Sequence, residues 1–163
     1  KEKGYLFNCQ YVGGETAEIN AVQFSEEVDK RDLNDRVAYV GRKVGEEKNA
    51  FFQQADIFIL PTMNECFPLV ILEAMEYKLP AISTNEGGIP DMVKDGENGL
   101  ICEKQNPVSL ADCIAKLLDD EELRVKMGNA GYDKFCREFT LQQFEHRMLD
   151  ILSQNLPQKE KEN

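Results

Sequence analysis

The sequence predicts an α/β domain built on a parallel sheet with helices on both faces. Three observations carry that expectation. Apolar segments of strand length alternate with segments of helical period, the pattern of strand–helix units whose crossover helices cover both sides of a sheet. The chain has 163 residues, enough for one packed core. No internal repeat or low-complexity block interrupts the alternation.

In chain order, a first strand is expected over 5–12 and a helix over about 15–30. A second strand follows at Val37–Gly41 and a helix over about 46–54. A third strand at 57–60 leads into a helix beginning at Pro68. Ala81–Thr84 supplies the next strand and Gly99–Cys102 a last short one. Residues 107–118 carry apolar positions at Leu110, Ile114, Leu117 and Leu118, the spacing of one helix face. Two more helices are expected over about 121–135 and 140–152, with Thr140 as N-cap of the latter. Residues 1–154 thus read as one domain, and 155–163, polar and charged, as a disordered tail.

Composition narrows the function classes. Nineteen basic against 30 acidic side chains leave a formal charge of −11, which argues against a nucleic-acid backbone as partner. No stretch approaches the ~20 apolar residues of a membrane span, and the start, Lys1-Glu2-Lys3-Gly4, has neither an initiator methionine nor a signal peptide's apolar region. A soluble domain cut from something larger is expected. The five cysteines (Cys9, Cys66, Cys102, Cys113, Cys136) are odd in number and lack C-x-x-C spacing, so reduced thiols and a cytoplasmic location are expected. His146 is the single histidine and sits at a surface position of an amphipathic helix. With no clustered ligands and no D-x-D or G-x-S-x-G motif, no metal site and no hydrolytic triad are expected.

The densest chemistry lies at Glu65-Cys66-Phe67-Pro68-Leu69-Val70-Ile71-Leu72-Glu73. A proline at a first helical position loses nothing by lacking an N–H, so Pro68 is expected to open a helix. The amides of Leu69, Val70 and Ile71 are then left without intrahelical partners, and such amides bind phosphates well. Glu73 is set among Leu69, Val70, Ile71, Leu72, Ala74 and Met75. A carboxylate buried there needs hydrogen-bond donors. A ribose diol supplies two, roughly 8 Å from the helix start at about 1.5 Å per residue. Taken alone, the pattern favours an acid on the wetter helix edge beside Glu76.

These two glutamates, separated by seven residues in ADIFILPTMNECFPLVILEAM, followed by PAISTNEGGIPDMVKDGENGLIC, resemble the C-terminal, donor-binding domain of the retaining family 4 glycosyltransferases (glycosyl transferases group 1). The resemblance runs in order over about 5–152 and implies the GT-B architecture, in which two Rossmann-like domains face each other. It implies that Glu65 approaches the donor sugar as the catalytic glutamate. The segment Cys66, Phe67, Pro68, Leu69 and Val70 would hold sugar and diphosphate, and Glu73 the ribose hydroxyls. The donor would be a nucleoside diphosphate sugar, with no cofactor and no metal required. The sugar would pass to a glycan or lipid-linked acceptor in polysaccharide or glycoconjugate biosynthesis. Acceptor contacts would belong to an absent N-terminal domain, and membrane contact is expected only peripherally, through that domain.

Weaker candidates lie elsewhere. Gly13-Gly14, after the first strand, fits a phosphate-approach turn or a plain turn. Arg42 and Lys43 fall where relatives place a loop that meets the nucleoside base, and fit isolated surface cations as well. Gly87-Gly88-Ile89-Pro90-Asp91 matches a family loop beside the active-site cleft and is also a glycine turn into a short helix. Lys78 stands where relatives commonly place glycine. A left-handed conformation there would cost a non-glycine residue about 1 kcal/mol.

The resemblance further implies a missing central strand, with its phosphate-binding arginine and lysine, before Lys1. The fragment alone is therefore expected to be inactive. Two other readings remain: a sugar-nucleotide epimerase of similar form, told apart by isomerised donor without an acceptor, and a non-catalytic nucleotide-binding module.

Overall fold

The structure is a computed structural model that describes residues 4–17 and 19–155. The chain separates into two compact units, Lys1–Gln54 and Ala55–Asn163. Both are α/β with parallel strands, as the alternation predicts. Among the described residues the strands pair in two groups, of two and three strands.

The first unit runs β1 (Cys9–Val12), α1 (Ala21–Lys30), β2 (Val37–Gly41), α2 (Gly45–Gln54). β1 and β2 pair in parallel from Cys9↔Val37, with an irregularity between Tyr11 and Val12. Only Cys9–Val12 of the expected 5–12 strand pairs as strand, because β2 offers partners no earlier than Val37. The helix expected over 15–30 begins later, after Asn20. There the Asn20 side chain accepts from the Gln23 amide at 3.0 Å and the Gln23 side chain accepts from the Asn20 amide at 3.0 Å. This reciprocal pair satisfies two amides that a helix start leaves open. The rings of Tyr11, Phe24 and Tyr39 pack together, with centroids 5.3 to 5.7 Å apart.

The second unit holds β3 (Phe58–Leu60), α3 (Leu69–Glu76), β4 (Ala81–Thr84), α4 (Ile89–Met92), β5 (Gly99–Cys102), α5 (Pro107–Asp119), α6 (Glu121–Glu138) and α7 (Leu141–Asn155). Its sheet has the order β3-β4-β5, all parallel. β4 is the middle strand and is buried throughout. Successive side chains of a strand point to opposite faces, and two apolar clusters result. Ala81 joins Ile71, Met75, Ile89, Met92 and Val93 on one face. Ile82 joins Leu100, Cys102, Leu117 and Met127 on the other. α6 extends three residues beyond the expected end, because Phe135 and Phe139 still pack on the first cluster. The Gln143 amide donates to Thr140 Oγ1 at 3.3 Å, so Thr140 caps α7 as expected. Asn155 closes α7, and the rest of the expected tail lies outside the described residues.

Lys78 adopts φ 58°, the left-handed conformation anticipated for this position. The turn is held from the far side by Gly128 of α6, where an added Cβ would overlap the Lys78 carbonyl. Lys78 Nζ lies 5.1 Å from the centre of the Tyr132 ring. Lys78→Gly relieves about 1 kcal/mol of backbone strain and forfeits about 0.5 kcal/mol of cation–π attraction. A net gain of roughly 0.5 kcal/mol is expected, read as a higher midpoint in urea unfolding of the chain.

Candidate active site

The loop after β3 and the start of α3 form the centre of the site. Ligands of open parallel sheets collect beyond the carboxyl ends of the strands, and this loop leaves that end of β3. Two buried hydroxyls of β4 fix its departure: Ser83 Oγ donates to the Leu60 carbonyl at 2.7 Å, and Thr84 Oγ1 donates to the Thr62 carbonyl at 2.6 Å. Further along, the Gly88 amide donates to the Cys66 carbonyl at 2.6 Å. Gly87 has φ 50° and leaves no room for a Cβ, which would overlap the Glu65 and Cys66 carbonyls. At Gly88 the Phe67 ring fills the space a Cβ would take. The glycine pair thus lets the β4–α4 turn lie directly on the Glu65–Phe67 backbone. Beside it, Glu86 is paired with Lys104.

Glu65 is half-buried, Cys66 and Phe67 are exposed, and Pro68 is buried. Pro68 is the N-cap of α3 rather than its first helical residue, with ψ 100° and no side-chain cap. The chain must remain extended at Pro68 to turn out of the loop, which shifts the helix start by one residue. The Ile71 amide bonds back to the Pro68 carbonyl at 3.0 Å. The expected set of three open amides therefore reduces to Leu69 and Val70. α3 is also not apolar all round in its setting: Ile71, Ala74 and Met75 are fully buried, whereas Leu69 is 65% exposed. Glu73 is half-buried, one turn beyond the loop on the same helix.

Of the sequence-predicted residues, Glu65, Cys66, Phe67, Pro68, Leu69, Val70 and Glu73 form one continuous loop–helix segment, braced by Gly87 and Gly88. Gly13, Gly14, Arg42 and Lys43 belong to the first unit, following the ends of β1 and β2. There the Gly13 amide donates to the Gly41 carbonyl at 3.1 Å and its carbonyl accepts from Tyr39 Oη at 3.0 Å. Those bonds fit the plain-turn reading of Gly13. Gly14 and Arg42 are exposed, and Lys43 pairs with Glu47 at 3.8 Å.

Sequence reasoning passed over Lys134. It is 8% exposed and donates from Nζ to the Asp91 carbonyl. Burial pushes its ammonium below the usual lysine value, and Glu138 opposes that shift. Its signal is visible in hindsight: Lys134 continues the buried stripe Met127, Gly131 of α6 at helical spacing. Among the described residues no three His, Cys, Asp or Glu side chains gather as a metal site, and no helix is long and apolar enough to cross a membrane.

Comparison with known proteins gives the family and the fold. Residues 10–134 match the family model of glycosyl transferases group 1. The chain is 38% identical over 96 residues to the D-inositol 3-phosphate glycosyltransferase of Corynebacterium efficiens, covering 59% of this chain and 23% of that protein. It is 34% identical over 124 residues to the N-acetyl-alpha-D-glucosaminyl L-malate synthase of Bacillus anthracis, covering 74% of this chain and 32% of that protein. The chain thus spans a third or less of the length of these relatives. Among solved structures, sucrose-phosphate synthase from Thermosynechococcus elongatus superposes with a TM-score of 0.78 at 27% identity, over 89% of this chain and 37% of that one. Anabaena HepE in complex with UDP superposes with a TM-score of 0.83 at 19% identity, over 91% and 41%, a likeness of fold alone. With the model matched over most of its length, this chain belongs to the glycosyl transferases group 1 family.

Proposed function

We propose that the chain is the donor-binding domain of a retaining, family 4 glycosyltransferase. It would transfer a hexosyl group from a nucleoside diphosphate sugar to a glycan or lipid-linked acceptor, in polysaccharide or glycoconjugate biosynthesis. The observation that carries the reading is the Glu65–Glu73 segment: a braced loop bearing a half-buried acid, an uncapped helix start, and a second half-buried acid one turn on. The family membership and the relatives' names support transfer chemistry, and the UDP held by a neighbour of the same fold supports a nucleotide ligand.

In the reaction the bond between the anomeric carbon and the diphosphate breaks, positive charge grows on the sugar and negative charge on the leaving phosphate. The Leu69 and Val70 amides stabilise a phosphate oxygen without reorganising, because the loop before them is already fixed. Glu65 orients sugar hydroxyls and favours the cationic centre; it is not assigned as a nucleophile. Glu73 accepts from the ribose hydroxyls. No metal is required. An N-terminal domain supplies the acceptor site, and the isolated chain is inactive. All five cysteines are free, which supports a cytoplasmic setting.

The test is Glu73→Gln in the intact enzyme. The substitution keeps size and removes the charge of two hydrogen bonds, a loss of about 1.5 to 3 kcal/mol. UDP affinity by calorimetry is expected to fall about 10- to 150-fold. Unchanged affinity removes the ribose from Glu73.

A further inference from the structure

We propose that Lys134 is a positioning residue for the candidate active-site loop, tying α6 to the Cys66–Phe67 backbone through two separate routes. The first is a series of hydrogen bonds. Lys134 Nζ donates to the Asp91 carbonyl, the Asp91 amide donates to the Gly88 carbonyl at 3.1 Å, and the Gly88 amide donates to the Cys66 carbonyl at 2.6 Å. The second passes through rings. Lys134 Nζ lies 5.9 Å from the centre of the Phe139 ring, that ring lies 6.2 Å from Phe67, and Phe67 fills the space beside Gly88. Both routes end on adjacent residues of the loop that carries Glu65.

The chemistry of a buried ammonium explains why this residue can hold a loop. A lysine in an apolar stripe is costly unless its head finds oxygen or aromatic partners, so its geometry is specified once those partners are met. Asp91 lies in the last turn of α4, where carbonyls have no helical amide to accept from, and Lys134 supplies the missing donor. α4 is a single turn joined through Ile89 to the glycine pair. Moving Asp91 therefore moves Gly88, and with it the Cys66 carbonyl.

The inference rests on the reading of this loop as the donor site, and the experiment separates the two. Lys134→Met keeps an unbranched side chain and removes the cation; Lys134→Arg keeps a cation. Deuterium exchange of the intact enzyme is followed at the Gly88 amide and over residues 64–68, with α5 as reference. In Lys134→Met these amides exchange about tenfold faster while α5 is unchanged, and in Lys134→Arg they stay within about twofold of the original chain. In the intact enzyme, calorimetry with UDP shows about tenfold weaker binding for Lys134→Met and recovery for Lys134→Arg. Should Lys134→Met not fold, Lys134→Gln, which keeps a polar head, gives a smaller acceleration confined to the same amides. Acceleration spread equally into α5, or none at Gly88, overturns the proposal. Absence of UDP binding by the unsubstituted enzyme refutes the nucleotide reading instead, and the exchange result still decides Lys134.

Discussion

Glu65→Ala in the intact enzyme lowers turnover by about 10²- to 10³-fold and leaves affinity for UDP within about twofold. The separation follows from what each ligand offers. On the proposed reading a nucleoside diphosphate lacks the donor sugar that meets Glu65, so its binding is carried by the helix-start amides and Glu73. The donor's sugar, in contrast, develops positive charge next to a half-buried carboxylate, where an electrostatic contact is stronger than in water. The backbone on either side of Glu65 is held independently of its side chain, at Leu60, Thr62 and Cys66, by Ser83, Thr84 and Gly88. Truncation therefore removes the acid without releasing the loop. Steady-state kinetics and calorimetry on the same preparation measure the two effects. Normal turnover would exclude Glu65 from the site, and a parallel loss of UDP affinity would place it on the nucleotide.

Gly87→Ala is expected to destabilise the second unit by about 3 kcal/mol, and to weaken UDP binding of the intact enzyme with it. Left-handed φ contributes about 1 kcal/mol. The larger part arises because a methyl group at this position enters the space of the Glu65 and Cys66 carbonyls, and a backbone cannot move aside as a flexible side chain can. Gly96 provides the control. Its φ is 78°, yet an added Cβ meets nothing within 4 Å, so Gly96→Ala is expected to cost only the strain of about 1 kcal/mol. Urea unfolding of both variants isolates the steric part as their difference. Equal costs would mean that the turn does not rest on the loop.

Several elements could be read from the chain to the residue. β2, β4 and β5 are short apolar runs closed by turn residues, and their bounds match the expectation. The loop and helix carrying Glu65 and Glu73 were marked out by the family resemblance, and the structure makes them one continuous segment braced by Gly87 and Gly88. What failed to show depends on partners. The 5–12 run is mostly apolar, but only the part opposite Val37–Gly41 becomes strand, and no local pattern encodes where a neighbour begins. The start of α1 was written in Asn20 and Gln23, three residues apart, and that cap outweighed the longer helical pattern before it. Lys134 shows the same limit for the site: charge marks it as surface, whereas its helical register marks it as interior.

The contact between Gly128 and the Lys78 carbonyl makes these two positions unequal in the face of inherited change. Any side chain at 128 collides with backbone, so that position admits one residue for as long as α6 lies against the α3–β4 turn. Position 78 is strained but open to substitution, and its side chain is exposed. Sequence drift can therefore exchange lysine for glycine or asparagine at 78 while α6 keeps its place, whereas a replacement at 128 survives only alongside a rearranged turn. The tolerance of one site is conditional on the fixity of the other, so mutations at the pair are expected to be epistatic.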